Sequence, residues 1–228
     1  MRWLLCAFIV AGCATAGKAG QLPIDASGDD DDSDAARPID APPPIDAPVM
    51  ATLSETVNSN VTQGLSLACF TGTNNQQDTS YYRVFQLSDY NITGVFHVQS
   101  LAVAIEESAG NVTANFFIGT YAGAIGGSTI DMNMFTQLAT TSFPIPVSGS
   151  AENIVVPLIA DIPAGSKFVV YMSVPSQNAN QHYALIGCTN SGETHPGYYS
   201  SNTCGTPIET SVALGATGQW ILNVVGTH

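Results

Sequence analysis

Basic side chains are almost missing from this sequence. Lysine and arginine number five among 228 residues, against 18 aspartates and glutamates, giving a formal net charge of −13. Only 10% of residues are charged, where ~25% is usual for a soluble domain. So few cations cannot neutralise a phosphate backbone, which excludes nucleic acid as a partner. The same scarcity excludes electrostatic docking onto anionic lipid. No apolar run reaches the ~20 residues that a membrane-spanning helix needs. A helical protein is disfavoured as well, because soluble helices carry Glu, Lys and Arg on their wet face. The surface must instead be covered with Ser, Thr, Asn, Gln and Gly, which suits strands joined by polar turns.

What is present divides the chain into three. Residues 1–12 place Arg2 before the apolar run Trp3–Val10 and then two small residues, the plan of an export signal. Val10-Ala11-Gly12-Cys13 resembles a lipobox, the motif of bacterial lipoproteins. The resemblance implies cleavage before Cys13, a diacylglyceryl thioether on its sulfur, and acylation of the new amino group. Ala at position 14, rather than Asp, implies sorting to the outer membrane, with the chain held at the cell surface or periplasmic face. Several acyl chains together give stable anchoring where one is marginal.

Residues 13–50 follow as a lipidated tether. Pro-Ile-Asp-Ala occurs three times, at 23–26, 38–41 and 44–47, and Asp29 to Asp32 form an unbroken acidic run. Proline, like charge and low hydrophobicity predict a disordered linker with polyproline character. Fully extended at ~3.1 Å per residue, it would reach roughly 110 Å.

Residues 51–228 have a different texture. Short apolar, β-branched and aromatic segments alternate with Gly, Asn, Ser and Pro clusters. Strands are predicted near 64–69, 81–87, 95–106, 113–121, 136–143, 152–159, 167–174, 182–187 and 219–226, with a short one near 209–214. Leu101, Val103 and Ile105 share one face of their strand; Phe168, Val170, Met172 and Val174 share one face of theirs, with Tyr171 opposite. Pro163-Ala164-Gly165-Ser166 reads as a turn. Nine or ten short strands predict an all-β fold, a two-sheet antiparallel sandwich of jelly-roll type.

Tyr81-Tyr82-Arg83-Val84-Phe85, Ile162 to Ser166, Ile186-Gly187, Pro196-Gly197-Tyr198 and Cys204-Gly205 occur in that order. In this they resemble a β-sandwich module attached to secreted bacterial proteases and other exported proteins. The resemblance covers most of 64–226 and its motifs are structural. In that module the enzyme lies elsewhere in the chain.

Of the five cysteines, Cys6 leaves with the signal and Cys13 takes lipid. Cys69, Cys188 and Cys204 remain, and the residues alone leave three pairings open. The resembling modules carry cysteines at positions matching Cys69 and Cys204 and a small residue at 188. The resemblance therefore implies a Cys69–Cys204 bond and a free, buried Cys188, with Cys188–Cys204 as the alternative.

Catalytic signatures are sparse. Neither a Gly-x-Ser-x-Gly elbow nor a His-Glu-x-x-His helix occurs. Adjacent Glu106 and Glu107 point to opposite faces of a strand, unlike the two converging carboxyls of a glycosidase. His97, His182, His195 and His228 do not form a metal set, and no cofactor or metal is expected. Arg83, the domain's only arginine, reads as a structural salt bridge or carbonyl clamp.

The aromatics give the functional lead. A Cys69–Cys204 bond would make neighbours of the 70–80 and 189–207 loops. Asn75, Asp78, Tyr81, His195, Tyr198 and Tyr199 then become candidate ligand-binding residues, because ring faces beside amides and carboxylates suit sugars. The expectation is a lipid-anchored envelope or cell-surface protein with a non-catalytic binding or adhesion module. Its partners would be the membrane through Cys13 and a glycan or another envelope protein. The alternatives are a hydrolase built at the loop ends of the sandwich, and a structural envelope protein without ligand.

Overall fold

The computed structural model describes residues 47–72 and 75–228. The signal segment, Cys13 and nearly all of the tether lie outside the described residues. The strands, in chain order, are β1 (Met50–Leu53), β2 (Phe70–Thr71), β3 (Asn75–Gln76), β4 (Thr79–Gln86), β5 (Phe96–Ala109), β6 (Val112–Tyr121), β7 (Phe135–Ile145) and β8 (Glu152–Ile162). They continue as β9 (Lys167–Val174), β10 (Tyr183–Ile186), β11 (Cys188–Thr189), β12 (Tyr198–Ser201), β13 (Thr206–Thr210), β14 (Gln219–Trp220) and β15 (Leu222–Thr227).

Two antiparallel sheets face each other as a sandwich. The first runs β1–β15–β5–β8, with β10 pairing the far end of β5 beyond β15. The second runs β13–β12–β4–β9–β6–β7. The period of two sets what lies between them. On β8 the side chains of Ile154, Val156, Leu158, Ala160 and Ile162 are buried, while Asn153, Val155, Pro157, Ile159 and Asp161 stay exposed. Leu101, Val103 and Ile105 of β5 meet Phe168, Val170 and Met172 of β9 in the same core. Each such side chain, fully buried, contributes roughly 1.5–3 kcal/mol.

The second sheet also carries apolar groups on its outer face. Tyr82, Val84, Val169, Tyr198 and Tyr121 form a second cluster there, with Ile125, Met132 and Phe135 from the 122–135 segment packed against it. This is why Tyr171, predicted to point away from the main core, is half-buried rather than free.

The expected strands from 81 to 174 and the strands around 183–186 and 219–227 are present with shifts of a few residues at their ends. The 163–166 turn closes with Ser166 N–H donating to Pro163 O at 3.1 Å, and Gly165 sits at φ +69, the left-handed region that favours glycine. The segment 64–69 is a correction: it is not a strand. The buried Glu106 carboxylate accepts the Gly64 and Ser66 amides at 2.6 and 3.3 Å, so these N–H groups are occupied without a ladder. Leu65 and Leu67 still pack on the core, which is the periodicity the sequence displays. The predicted 209–214 strand lies instead at Thr206–Thr210, and five strands appear that the pattern did not announce: β1, β12 and the two-residue strands β2, β3 and β11. β1 starts at Met50, the last residue of the expected tether, and pairs with β15.

Cys69 and Cys204 are disulfide-bonded, closing a sequence separation of 135, and Cys188 is free and buried. Burial pushes the Cys188 thiol up to about 12, so it is inert at neutral pH.

Candidate functional site

The six residues singled out in the sequence do not meet on one open surface. Tyr81 is fully buried in the main core and donates to Leu67 O at 2.7 Å. Its ring packs edge-on against Tyr199 and Trp220, and Tyr199 is only 3% exposed. Tyr198 lies on the opposite side of the same strand, buried in the outer cluster, with its hydroxyl donating to Gly127 O at 3.0 Å. The three ring faces are thus in packing contact. Asp78 is a loop clamp, accepting the Asn202 and Thr203 amides at 2.8 and 2.9 Å. Burial alone would raise its pKa, but these bonds and that from the Thr203 side chain outweigh it and hold the carboxyl below its ordinary 3.8. Asp78 thereby joins the 70–80 and 189–207 loops as the disulfide does.

His195 belongs to a largely buried polar network at the end of the sandwich where the chain enters. Its Nδ1 lies 2.9 Å from Glu55 Oε2, and the Tyr90 hydroxyl donates to Glu55 Oε1 at 3.0 Å. Burial raises the Glu55 pKa above 4.5, opposed by its bonds to His195 and Tyr90. Beside it Arg83 is fully buried. Nη1 donates to Glu193 Oε2 at 2.6 Å and to His195 O at 3.0 Å, while Nε and Nη2 both donate to Trp220 O. Arg83 is therefore both salt bridge and carbonyl clamp. His182, whose ring fills the space beside Gly110, and His195 have separate partners. Among the described residues no cluster of His, Cys, Asp or Glu is arranged to hold a metal.

The opposite end is open. There the β2–β3 hairpin docks on β10: Gln76 N–H donates to His182 O at 3.3 Å, Ala184 N–H donates to Gln76 Oε1 at 2.7 Å, and Gln177 N–H donates to Gln76 O at 2.8 Å. This docking places Phe70 against Tyr183, ring centroids 6.2 Å apart and 71° between planes. Phe70 is 41% exposed. The Tyr183 hydroxyl donates to Glu107 Oε1 at 2.5 Å, and that bond raises the phenol pKa. Glu107 and Tyr183 sit on one face because Glu107 pairs with Leu185 and Ala109 with Tyr183. The segment leading into Tyr183 carries the amide-bearing Gln177, Asn178, Asn180 and Gln181, the last at φ +60. Two buried atoms here, Asn75 Oδ1 and Gln76 Nε2, have no partner among the described residues.

Of the residues expected from sequence, Asn75 and Asp78 lie in the loops of this end, Asp78 with its carboxylate occupied by the Asn202 and Thr203 amides; Phe70 and Glu107 were missed. Their signal was weak: Phe70 is a lone aromatic next to a cysteine, and Glu107 shared its reading with Glu106. The two glutamates do diverge. Glu106 holds the 64–66 backbone, and Glu107 holds Tyr183.

The chain matches no family model and no curated protein sequence. Among solved structures it is similar to the cysteine protease and lectin-like domains of Cwp84, a surface layer associated protein of Clostridium difficile, at 13% identity and a TM-score of 0.46. The similarity covers 67% of this chain and 32% of that one, so this chain spans about a third of that protein's length.

Proposed function

We propose that this chain is an exported lipoprotein, anchored through Cys13 at the outer membrane, whose β-sandwich is a non-catalytic binding module for glycans. The observation that carries the reading is the open pair Phe70–Tyr183 beside the Glu107 carboxylate. An exposed ring offers contact to the apolar face of a sugar, and the carboxylate accepts from its hydroxyls. Three other acids have internal work: Glu55, Glu106 and Glu193 each hold a neighbouring loop or side chain. The tether of 13–50 would hold the module clear of the lipid.

Two measurements test the reading. Cys13→Ser is expected to abolish metabolic palmitate labelling, and continued labelling would refute the anchor. The purified mature chain is expected to give selective signals on a glycan array, which Phe70→Ala removes. A flat array for the unmutated chain would leave a structural envelope protein or a protein-binding module as the better reading.

A further inference from the structure

The register of the second sheet lines up two rows on its outer face. One row is polar: Ser200 pairs with Ser80, Ser80 with Ser173, Ser173 with Asn115, and Asn115 with Ser142. Within it the Ser80 hydroxyl donates to Ser173 Oγ at 3.0 Å and Ser142 Oγ donates to Asn115 Oδ1 at 2.7 Å. The neighbouring row is aromatic: Tyr198, Tyr82, Tyr171 and Phe117 are successive partners across four strands. Tyr82 and Tyr171 stack at 4.9 Å, and Tyr171 and Phe117 at 4.4 Å. These separations match the spacing of adjacent strands, ~4.8 Å. The Tyr82, Tyr171 and Phe117 rings therefore stand upright, faces against one another, as a ridge that is buried at Tyr198 and Tyr82 and half-buried at Tyr171 and Phe117, where ring edges reach the surface. The Tyr82 hydroxyl bonds Ser200 at 3.0 Å and ties the ridge to the polar row.

The 122–135 segment packs over one side of the ridge, through Ile125, Met132 and Phe135. The polar row lies on the other side, its members half-buried or exposed. Neither row carries a charged side chain, although the domain as a whole is acidic. A surface of hydroxyls and an amide beside an apolar ridge, running straight across five strands, fits a ligand with hydroxyl-rich edges, apolar faces and no charge. We propose that this face binds an uncharged, unbranched polysaccharide laid along the polar row, across the strands. This rests on the glycan-binding reading above but uses a surface distinct from the Phe70 end.

The test is affinity electrophoresis of the full mature chain through gels containing a soluble unbranched neutral β-glucan, with alginate as the acidic control. Short oligosaccharides of the same β-glucan are titrated in parallel. Ser142→Arg, on the outer strand, and Ser173→Arg, mid-row, are compared with Phe70→Ala; near-UV circular dichroism confirms that each variant is folded. The expected result is retardation by the neutral polymer and not by alginate, weakened about tenfold or more, some 1.4 kcal/mol, by Ser142→Arg. Unchanged retardation of both arginine variants overturns the face. Failure of the unmutated chain to be retarded also overturns it. Oligosaccharide binding that Phe70→Ala removes would then leave the end site standing, and its absence would remove both.

Discussion

At the end of the sandwich where the chain enters, Arg83, Glu193, Glu55 and His195 are bonded to one another and to backbone carbonyls. At the far end, Glu107 and Tyr183 make one bond between them and stand half-open beside Phe70. Both ends bring ionisable groups together. At the first, burial makes every unmatched group costly, so each has a partner. At the second, water remains available, so the carboxylate can keep acceptor capacity for a ligand. Polar clustering by itself therefore does not mark a site; exposure separates a structural network from a recognition surface.

The comparison can be broken most severely at Arg83. Arg83→Leu leaves the largely buried Glu193 carboxylate and the Trp220 and His195 carbonyls without their donor. Breaking a buried pair in this way costs about 3–5 kcal/mol, and urea denaturation is expected to show it. A smaller loss than about 1 kcal/mol would mean the network is looser than its geometry. The double variant Cys69→Ala/Cys204→Ala removes a link at the open end, and a loss of roughly 2–5 kcal/mol is expected. Because Cys69 adjoins Phe70, glycan binding should weaken even where the fold persists.

Phe70→Ala sharpens the contrast from the other side. The ring is partly in water, so stability should change by less than about 1 kcal/mol while array binding is lost. A stability loss above about 3 kcal/mol would show a core role instead.

The smallest effects concern pH, and their signs differ between the ends. Glu55 binds its proton more tightly in the folded state, so its contribution to stability is present in acid and falls as pH rises from 4.5 through the raised folded value. Asp78 has a lowered pKa, so its contribution is present above 3.8 and is lost as pH falls through the folded value. Glu55→Gln should flatten the first slope and Asp78→Asn the second in denaturation series between pH 2 and 7, where unfolded carboxyls titrate near 4. Slopes of the same sign at both positions would contradict the arrangement.

Much of the fold was legible along the chain. β8 alternates without interruption, and Leu101, Val103 and Ile105 face the core as their spacing requires. The resemblance pointed to the Cys69–Cys204 bond that the structure contains. The reading of 64–69 failed because Leu65 and Leu67 carry a strand's periodicity while a carboxylate from β5 takes their neighbours' amides. The aromatic candidates were harder still. Tyr81 and Tyr199 face the core between the sheets, and Tyr198 faces away from it, yet all three are buried. Alternation tells which face a side chain is on; it does not tell that another segment covers the outer face.

The sequence by itself determined that the described domain is all-β and that its surface is polar and nearly free of cations. These follow from composition and from a period of two, which are local properties of the chain. Only the tertiary structure decided that Phe70, Glu107 and Tyr183 meet, and that four aromatic residues and five polar ones form adjacent rows. Those groups come from strands far apart in sequence, and register between strands is fixed by packing across the whole sandwich rather than by any one segment.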